Sequence, residues 1–132
     1  MVKQGYGVIL AHTPNASRIS PPFVGGMVPA WAAIEGLYRS ISVECGGYGV
    51  RSVCLLTTGI PETKLIDEVW DIHGNAHGMS FEEFHIAMES KTHRHRLTTL
   101  KELTDAAIFV ASDEGSAITG TILNLTAGMI VG

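Results

Sequence analysis

Short apolar runs separated by helix-length segments constrain the fold of this chain more than any other feature. The clearest are GVILAHT at residues 7–13 and VRSVCLL at residues 50–56. Neither run alternates strictly between apolar and polar residues, which is typical of strands buried on both faces of a parallel sheet. A shorter run, TILNL, lies at residues 121–125. We therefore predict three strands at about residues 7–13, 50–56 and 121–125.

The segment between the first two runs predicts a long amphipathic helix over residues 27–45. Apolar residues recur there at spacings of three and four, while Glu35, Arg39 and Glu44 fall outside the apolar stripe. Gly46 and Gly47 provide the end of the helix. The residues of the predicted apolar stripe are Ala30, Ala33, Ile34, Leu37, Ile41 and Cys45.

The remaining segments predict shorter helices. One is expected over about residues 62–73, and another from Ser80 to about residue 90, where Ser80 and Glu83 form a capping box. A further helix begins at Thr98 or Thr99 and ends before Gly115. Residues 14–26 predict a loop. Right-handed crossovers would make the strands parallel. The sequence thus predicts an α/β fold with a partial Rossmann-like layer, in one domain over residues 1–132.

Composition excludes several classes of partner. The chain has 9 Lys and Arg against 13 Asp and Glu, so no basic footprint for nucleic acid is expected. No apolar run approaches the roughly 20 residues of a membrane span, and residues 1–10 lack the pattern of a signal peptide. We therefore expect a cytoplasmic protein. Cys45 and Cys54 form no close-spaced motif and are interpreted as packing residues.

A family resemblance runs along nearly the whole chain. The stretch AAIEGLYRS at residues 32–40, followed by GYGVR at 47–51, is similar to the long helix and following strand of short-chain dehydrogenases/reductases. The stretches RLT at 96–98, ASDE at 111–114 and ITGT at 118–121 resemble the last helix and last strand of that family. The resemblance implies that this chain corresponds to the C-terminal half of the family's doubly wound fold.

The same resemblance implies that the dinucleotide-binding half of the fold is absent from this chain. Its glycine-rich turn would hold the pyrophosphate at a helix N-terminus. The nearest pattern, Gly5-Tyr6-Gly7, opens a strand and does not close one before a helix. We therefore expect no cofactor for this chain alone, and NAD(P) only if the missing half is supplied.

The catalytic positions of the family carry other residues here. The family uses a Tyr, a Lys four residues later and a Ser upstream. Alignment on residues 32–34 puts Met27 at the Tyr position and Trp31 at the Lys position, while Pro14 or Thr13 falls where the Ser is expected. Reduction of a carbonyl needs a proton donor near the oxygen, and neither Met nor Trp supplies one. No catalytic residue is therefore assigned.

Candidates for a remnant site remain on two loops. His12 is able to act as an acid or base if it faces the loop, and Thr13 or Ser17 is able to donate a hydrogen bond to a carbonyl. A strand histidine with a satisfied side chain is the alternative for His12. In the segment after the second strand, the resemblance implies that Gly59 and Thr63 correspond to residues near a nicotinamide.

Histidines and basic residues elsewhere suggest two weaker hypotheses. His73 and His77 have the spacing of a metal-binding pair, with His85, Glu82 or Glu83 as a third ligand, but the neighbouring glycines weaken that helix, so no metal site is predicted. The basic run HRHR at residues 93–96 is interpreted as a solvated segment.

Two functions are compatible with these observations. In the first, the chain is a truncated or degenerate reductase-like protein without redox activity of its own, which self-associates through the helix at 27–45, the exposed strand at 8–13, or both. In the second, it is a divergent oxidoreductase that works with a separate nucleotide-binding part, or that carries out cofactor-free chemistry in the remnant pocket. A proton-transfer residue at the loop, His12 or Thr13, discriminates between them.

Overall fold

A computed structural model describes residues 1–131 and contains a parallel sheet of three strands in the order β1-β2-β3. The strands are β1 (Gly7–Pro14), β2 (Val50–Thr57) and β3 (Thr121–Leu125). β2 pairs with both neighbours, and Gly7 lies opposite Val50 while Val53 lies opposite Thr121. The predicted strands and the α/β class are therefore confirmed, with β1 and β2 each one residue longer than expected.

Helices occupy the connections between the strands. They are α1 (Ala16–Ile19), α2 (Met27–Cys45), α3 (Leu65–Val69), α4 (Phe81–Ser90) and α5 (Leu100–Ala111). The short helix α1 lies inside the segment that the sequence predicted as a loop. α3 begins later than predicted and continues as a π-helical turn over Trp70–Gly74. Within residues 1–131, no helix has the length and apolar character needed to cross a lipid bilayer.

The first strand departs from the prediction that it is buried on both faces. Its apolar residues Val8, Ile9 and Leu10 are only partly buried, whereas β2 is buried at every position except Arg51. The physical reason is position in the sheet, because β1 is an edge strand with β2 on one side only. An apolar run identifies a strand but does not say whether the strand is central.

The face that helix α2 presents to the sheet overlaps the predicted apolar stripe only in part. Of that stripe, Ile34, Ile41 and Cys45 are half-buried, whereas Ala30, Ala33 and Leu37 are exposed. The one buried residue of the helix is Glu35, at 4% exposure. Trp31, Tyr38 and Ser42, which lie one or two turns from Glu35, are half-buried beside it.

Helix α5 covers the opposite face of the sheet with an apolar layer. Val53 and Leu55 of β2 pack with Val110 of α5, and Leu10 and Leu103 lie against them. Residues 53 and 55 alternate with Cys54, so α5 and α2 lie on opposite faces. Val50, Cys54 and Leu56 of β2 are buried on the α2 face, so both faces of the sheet contribute to the core.

Arg51 of β2 caps the C-terminal end of α5. Its guanidinium Nη1 donates to the carbonyl oxygens of Val110 at 2.7 Å and Gly115 at 2.8 Å, and Nη2 donates to that of Ser112 at 2.9 Å. The last carbonyls of a helix have no partner within it, and a cation there is favourable. At the other end, Thr99 provides the N-cap with Glu102 in a capping box, and Ser80 with Glu83 does so for α4, as the sequence predicted.

Candidate functional site

Polar residues of β1 and β2 meet where both strands end. Pro14 at the end of β1 lies opposite Thr57 at the end of β2, and Asn15 donates its backbone N–H to the Thr57 carbonyl at 2.7 Å. The carboxyl end of a parallel sheet is where α/β proteins bind their ligands. The sequence-predicted candidates His12, Thr13 and Gly59 all lie at or next to this end.

His12 is exposed and hydrogen-bonded to the neighbouring strand. Its Nε2 lies 2.7 Å from Thr57 Oγ1, and that hydroxyl donates in turn to the Thr58 carbonyl at 2.8 Å. Since the hydroxyl has one proton, it accepts the bond from His12, which places the imidazole proton on Nε2. Loss of surrounding water lowers the pKa of His12, so the ring is neutral near pH 7. Its Nδ1 is then the atom able to accept a proton.

Thr13 points away from His12, because successive side chains of a strand leave opposite faces of the sheet. Its side chain is fully buried under α2. The hydroxyl donates to Glu35 Oε1 at 3.3 Å and lies 3.4 Å from Cys54 Sγ. The structure therefore does not bring the two proton-transfer candidates together.

Sequence reasoning missed a buried polar cluster around Glu35. Ser17 of α1 donates its hydroxyl to Glu35 Oε1 at 2.6 Å, and Arg18 Nη2 lies 2.7 Å from Glu35 Oε2. With Thr13, the carboxylate has hydrogen-bond partners from both β1 and the segment that follows it. The cluster fixes α1 against α2 beside the carboxyl end of the sheet. The signal that could have revealed it is the one-turn spacing of Glu35 from Trp31 and Tyr38.

Two further ionisable groups lie beside this cluster. Burial raises the pKa of the Cys54 thiol, and the bond from Thr13 only partly opposes that effect. Burial also raises the pKa of the Tyr38 phenol, with a smaller contribution from Cys54. Both groups are therefore neutral near pH 7. Cys45 and Cys54 are both free thiols.

The residues at the family's catalytic positions lie at the end of β1 and in the first turns of α2. Met27 is the first residue of α2 and keeps 43% of its surface exposed. Trp31 lies one turn later and is half-buried, and Pro14 is the last residue of β1. Ser17 of α1 is buried and donates its hydroxyl to Glu35. None of these side chains offers a free acidic proton at the end of the sheet.

The candidate cofactor residues Gly59 and Thr63 are engaged within their own turn. Thr63 donates its hydroxyl to the Ile60 carbonyl at 2.9 Å. A Cβ atom at Gly59 would lie 2.9 Å from Ile66 Cδ1, so the space beside this glycine is filled by an apolar side chain.

The histidine pair at 73 and 77 forms a local contact. His77 Nδ1 lies 2.6 Å from the His73 carbonyl oxygen, and burial, followed by the charge of His77, lowers the pKa of His73. Among residues 1–131, no group of three or more His, Cys, Asp or Glu side chains is placed to hold a metal ion. Of the basic run, Arg96 forms a bidentate pair with Glu102, and Arg94 lies 3.6 Å from the same carboxylate.

Comparison with known proteins agrees with this arrangement. The family described as enoyl-(acyl carrier protein) reductase matches residues 1–130. The peroxisomal 2,4-dienoyl-CoA reductase of Saccharomyces cerevisiae is 27% identical over 97% of this chain and 40% of its own length. An uncharacterised oxidoreductase of Thermotoga maritima is 33% identical over 97% of this chain and 49% of its own length. The chain spans about half the length of the curated relatives it matches.

Solved structures show the same fold. The sorbitol-6-phosphate 2-dehydrogenase of Erwinia amylovora superposes with a TM-score of 0.92 over 100% of this chain and 52% of that protein, at 20% identity. The gluconate 5-dehydrogenase of Burkholderia cenocepacia, solved with NADP and tartrate, gives a TM-score of 0.82 over 97% of this chain and 46% of its own, at 22% identity. At these identities the likeness concerns the fold alone.

Proposed function

Because the chain belongs to the short-chain dehydrogenase/reductase family, we propose that these 132 residues form a reductase-like unit that self-associates and carries out no redox turnover by itself. The observation that carries this proposal is the apolar surface that α2 leaves exposed.

The composition of the surface supports association. On α2, the exposed residues Ala33, Leu37 and Val43 are apolar, and Val43 retains 85% of its accessible surface. On β1, Val8, Ile9 and Leu10 are only partly buried. Exposed apolar surface that continues over neighbouring elements is typical of interaction sites. Both surfaces named by the sequence are therefore candidates for the contact between copies.

The chemistry at the end of the sheet supports the absence of turnover. Hydride transfer to a carbonyl is coupled to protonation of the oxygen, and the donor must lie within hydrogen-bond reach of it. Met27 and Trp31 cannot serve as that donor. The hydroxyls of Thr13 and Ser17 are buried and directed at Glu35.

Light scattering coupled to size-exclusion chromatography, combined with a turnover assay, tests this proposal. We expect a mass of at least twice 14.1 kDa and no oxidation of NADH or NADPH with carbonyl substrates. The assay should include a full-length family reductase as a positive control. A stable monomer, or coenzyme-dependent turnover by the purified chain, would overturn the proposal.

A second candidate function is a divergent oxidoreductase that is completed by a separate nucleotide-binding part, or a cofactor-free catalyst. The observation that favours it is His12, whose neutral ring leaves Nδ1 able to accept a proton beside the carboxyl end of the sheet. The curated relatives include a reductase and an oxidoreductase. A thermal-shift screen with oxidised and reduced nicotinamide coenzymes distinguishes the two functions, because a ligand that binds only the folded state raises its stability. A coenzyme-dependent rise of several degrees would favour this second function.

A further inference from the structure

One aromatic contact joins two segments that leave the sheet at the same end. Phe23 lies in the loop between α1 and α2, and His77 ends a short 3-10 turn, Asn75–His77, in the segment that follows β2. Their ring centroids are 6.4 Å apart with an interplanar angle of 66°, which is an edge-to-face arrangement. Because β1 and β2 are paired in parallel, both segments start from the carboxyl end of the sheet. The contact therefore joins segments on the side of the sheet where α/β proteins bind their ligands.

The backbone holds Phe23 in a conformation that costs free energy. Its φ angle is 67°, in the left-handed region that bulky residues rarely adopt, and Ser20 and Gly25 of the same loop also have positive φ angles. The next residue, Val24, is buried at 8% exposure, whereas Phe23 is 67% exposed. With Val24 anchored in the core, this conformation directs the Phe23 ring outward to His77. Strained residues of this kind occur at clamps and switches.

The His77 ring is oriented by the turn that precedes it. A carbonyl oxygen only accepts hydrogen bonds, so Nδ1 of His77 donates to the His73 carbonyl at 2.6 Å and carries the proton of the neutral ring. Nε2 is then the atom that takes up a second proton. The bond at Nδ1 fixes one edge of the ring and leaves the Nε2 edge free to meet the face of Phe23.

The ionisable groups near His77 lie on its own side of the contact. The facing loop, residues 20–26, contains no ionisable side chain. On the adjoining π-helical turn, Asp71 accepts a hydrogen bond from Asn75 at 3.4 Å, and burial, followed by the charge of His77, lowers the pKa of His73. His73 therefore stays neutral while His77 becomes charged. An imidazolium edge is more positive than a neutral one, and the face of an aromatic ring attracts positive charge.

We propose that Phe23 and His77 form a pH-sensitive latch, which holds the loop at residues 20–26 against the turn at residues 75–77 more tightly when His77 is protonated. Histidine is the side chain that gains its charge between about pH 8 and pH 5. Acidification therefore closes the latch and restricts access to the carboxyl end of β1 and β2. The inference does not rest on self-association, because both rings belong to one chain.

Hydrogen–deuterium exchange with mass spectrometry tests the latch. After correction for the intrinsic pH dependence of exchange, peptides covering residues 20–26 and 75–79 should exchange about threefold more slowly at about pH 5.5 than at about pH 7.5, as expected of a cation–π contact at an exposed site. A peptide from α5 should show no such change. A parent chain without this difference, or with the opposite one, would overturn the inference.

Three variants separate the latch from other effects of pH. His77→Gln keeps a side-chain N–H donor but cannot become charged, and Phe23→Leu keeps an apolar side chain but removes the ring. Both should abolish the pH dependence. His85→Gln is the matched control, because His85 stacks on Phe81 in the same segment, with ring centroids 5.7 Å apart, and should leave the pH dependence unchanged. A pH dependence that persists in His77→Gln, or that disappears in His85→Gln, would overturn the latch.

Discussion

The two faces of the sheet are packed by different means. Under α5, Val53, Leu55 and Val110 are buried with 0%, 3% and 0% exposure and form an apolar layer. Under α2, the fully or nearly buried groups include Glu35 and Thr13, which are joined by hydrogen bonds. Apolar burial stabilises by about 1.5–3 kcal/mol per large side chain, whereas a hydrogen bond contributes a net of about 1 kcal/mol. The α2 face also buries Val50, Cys54 and Leu56 of β2, so it differs from the α5 face in its hydrogen-bonded cluster beside the candidate site and not in a lack of apolar packing.

The α2 face also contains an unpartnered polar atom. Ser52 is fully buried, and among the described residues its Oγ has no hydrogen-bond partner. It lies two residues from Cys54 on β2 and so shares the α2 face. A buried hydroxyl without a partner costs stability. Among the described residues, the α2 face is thus the less completely satisfied of the two faces.

The largest expected effect comes from truncating the apolar layer. Leu55→Ala removes a buried side chain at the centre of the α5 face and leaves a cavity, so the free energy of unfolding should fall by about 3 kcal/mol. Urea denaturation followed by circular dichroism measures this change. The matched control is Leu37→Ala on the exposed face of α2, which should change stability by less than about 0.5 kcal/mol. Equal losses in the two variants would contradict the placement of Leu55 in the buried core and of Leu37 on the surface.

A smaller effect is expected on the α2 face. Glu35→Ala leaves the hydroxyls of Ser17 and Thr13 without their buried acceptor and should cost about 2 kcal/mol. Glu35→Gln keeps an oxygen for those hydroxyls and loses only the charge opposite Arg18. Since the Arg18 side chain is 42% exposed, that loss should be about 1 kcal/mol or less.

Urea denaturation of Arg18→Ala and of the double variant Glu35→Gln/Arg18→Ala measures the coupling between the charges of Glu35 and Arg18. An alanine variant as stable as the parent would show that the cluster adds no stability.

The same difference between the faces explains which parts of the structure the sequence predicted. Strands and capping boxes depend on local pattern, and so the three strands and the capping box of Ser80 with Glu83 were predicted correctly. Thr99, the N-cap of α5, is one of the two positions that the sequence left open. The exposure of β1 depends on which strand stands beside it, and no residue of β1 encodes that. The apolar stripe of α2 was assigned to the core because hydrophobic spacing assumes an apolar core. Glu35 breaks that assumption.

The candidate site was predictable only in its position along the chain. The end of β1 follows from the strand assignment, which is why His12 and Thr13 were named, whereas Gly59 was named from the family resemblance. Their partners come from elsewhere: Thr57 lies 45 residues from His12, and Glu35 lies 22 residues from Thr13. No local spacing specifies such pairs, and the opposite directions of His12 and Thr13 follow only once the strand is paired.

The smallest expected effect concerns the N-terminal end of α5, where an ion pair of Arg96 with Glu102 takes the place of apolar packing. The hydrogen bond from Arg96, followed by that from the Thr99 backbone, lowers the pKa of Glu102 to about 2. A lowered carboxyl pKa stabilises the folded state above the ordinary value near 4.5, and this stabilisation is lost as pH falls from there toward 2. Because the Glu102 side chain is 39% exposed, the contribution at neutral pH should be only about 1 kcal/mol.

Glu102→Gln keeps the capping box but removes the charge, so it isolates this contribution. The variant should be about 1 kcal/mol less stable than the parent at neutral pH, and the difference should shrink between about pH 5 and pH 3 in urea titrations. Arg96→Gln should show the same pH dependence, because it removes the cation that lowers the carboxyl pKa. A stability difference that stays constant from neutral pH to about pH 3 would mean that the ion pair contributes nothing beyond the cap, and that apolar packing alone stabilises α5.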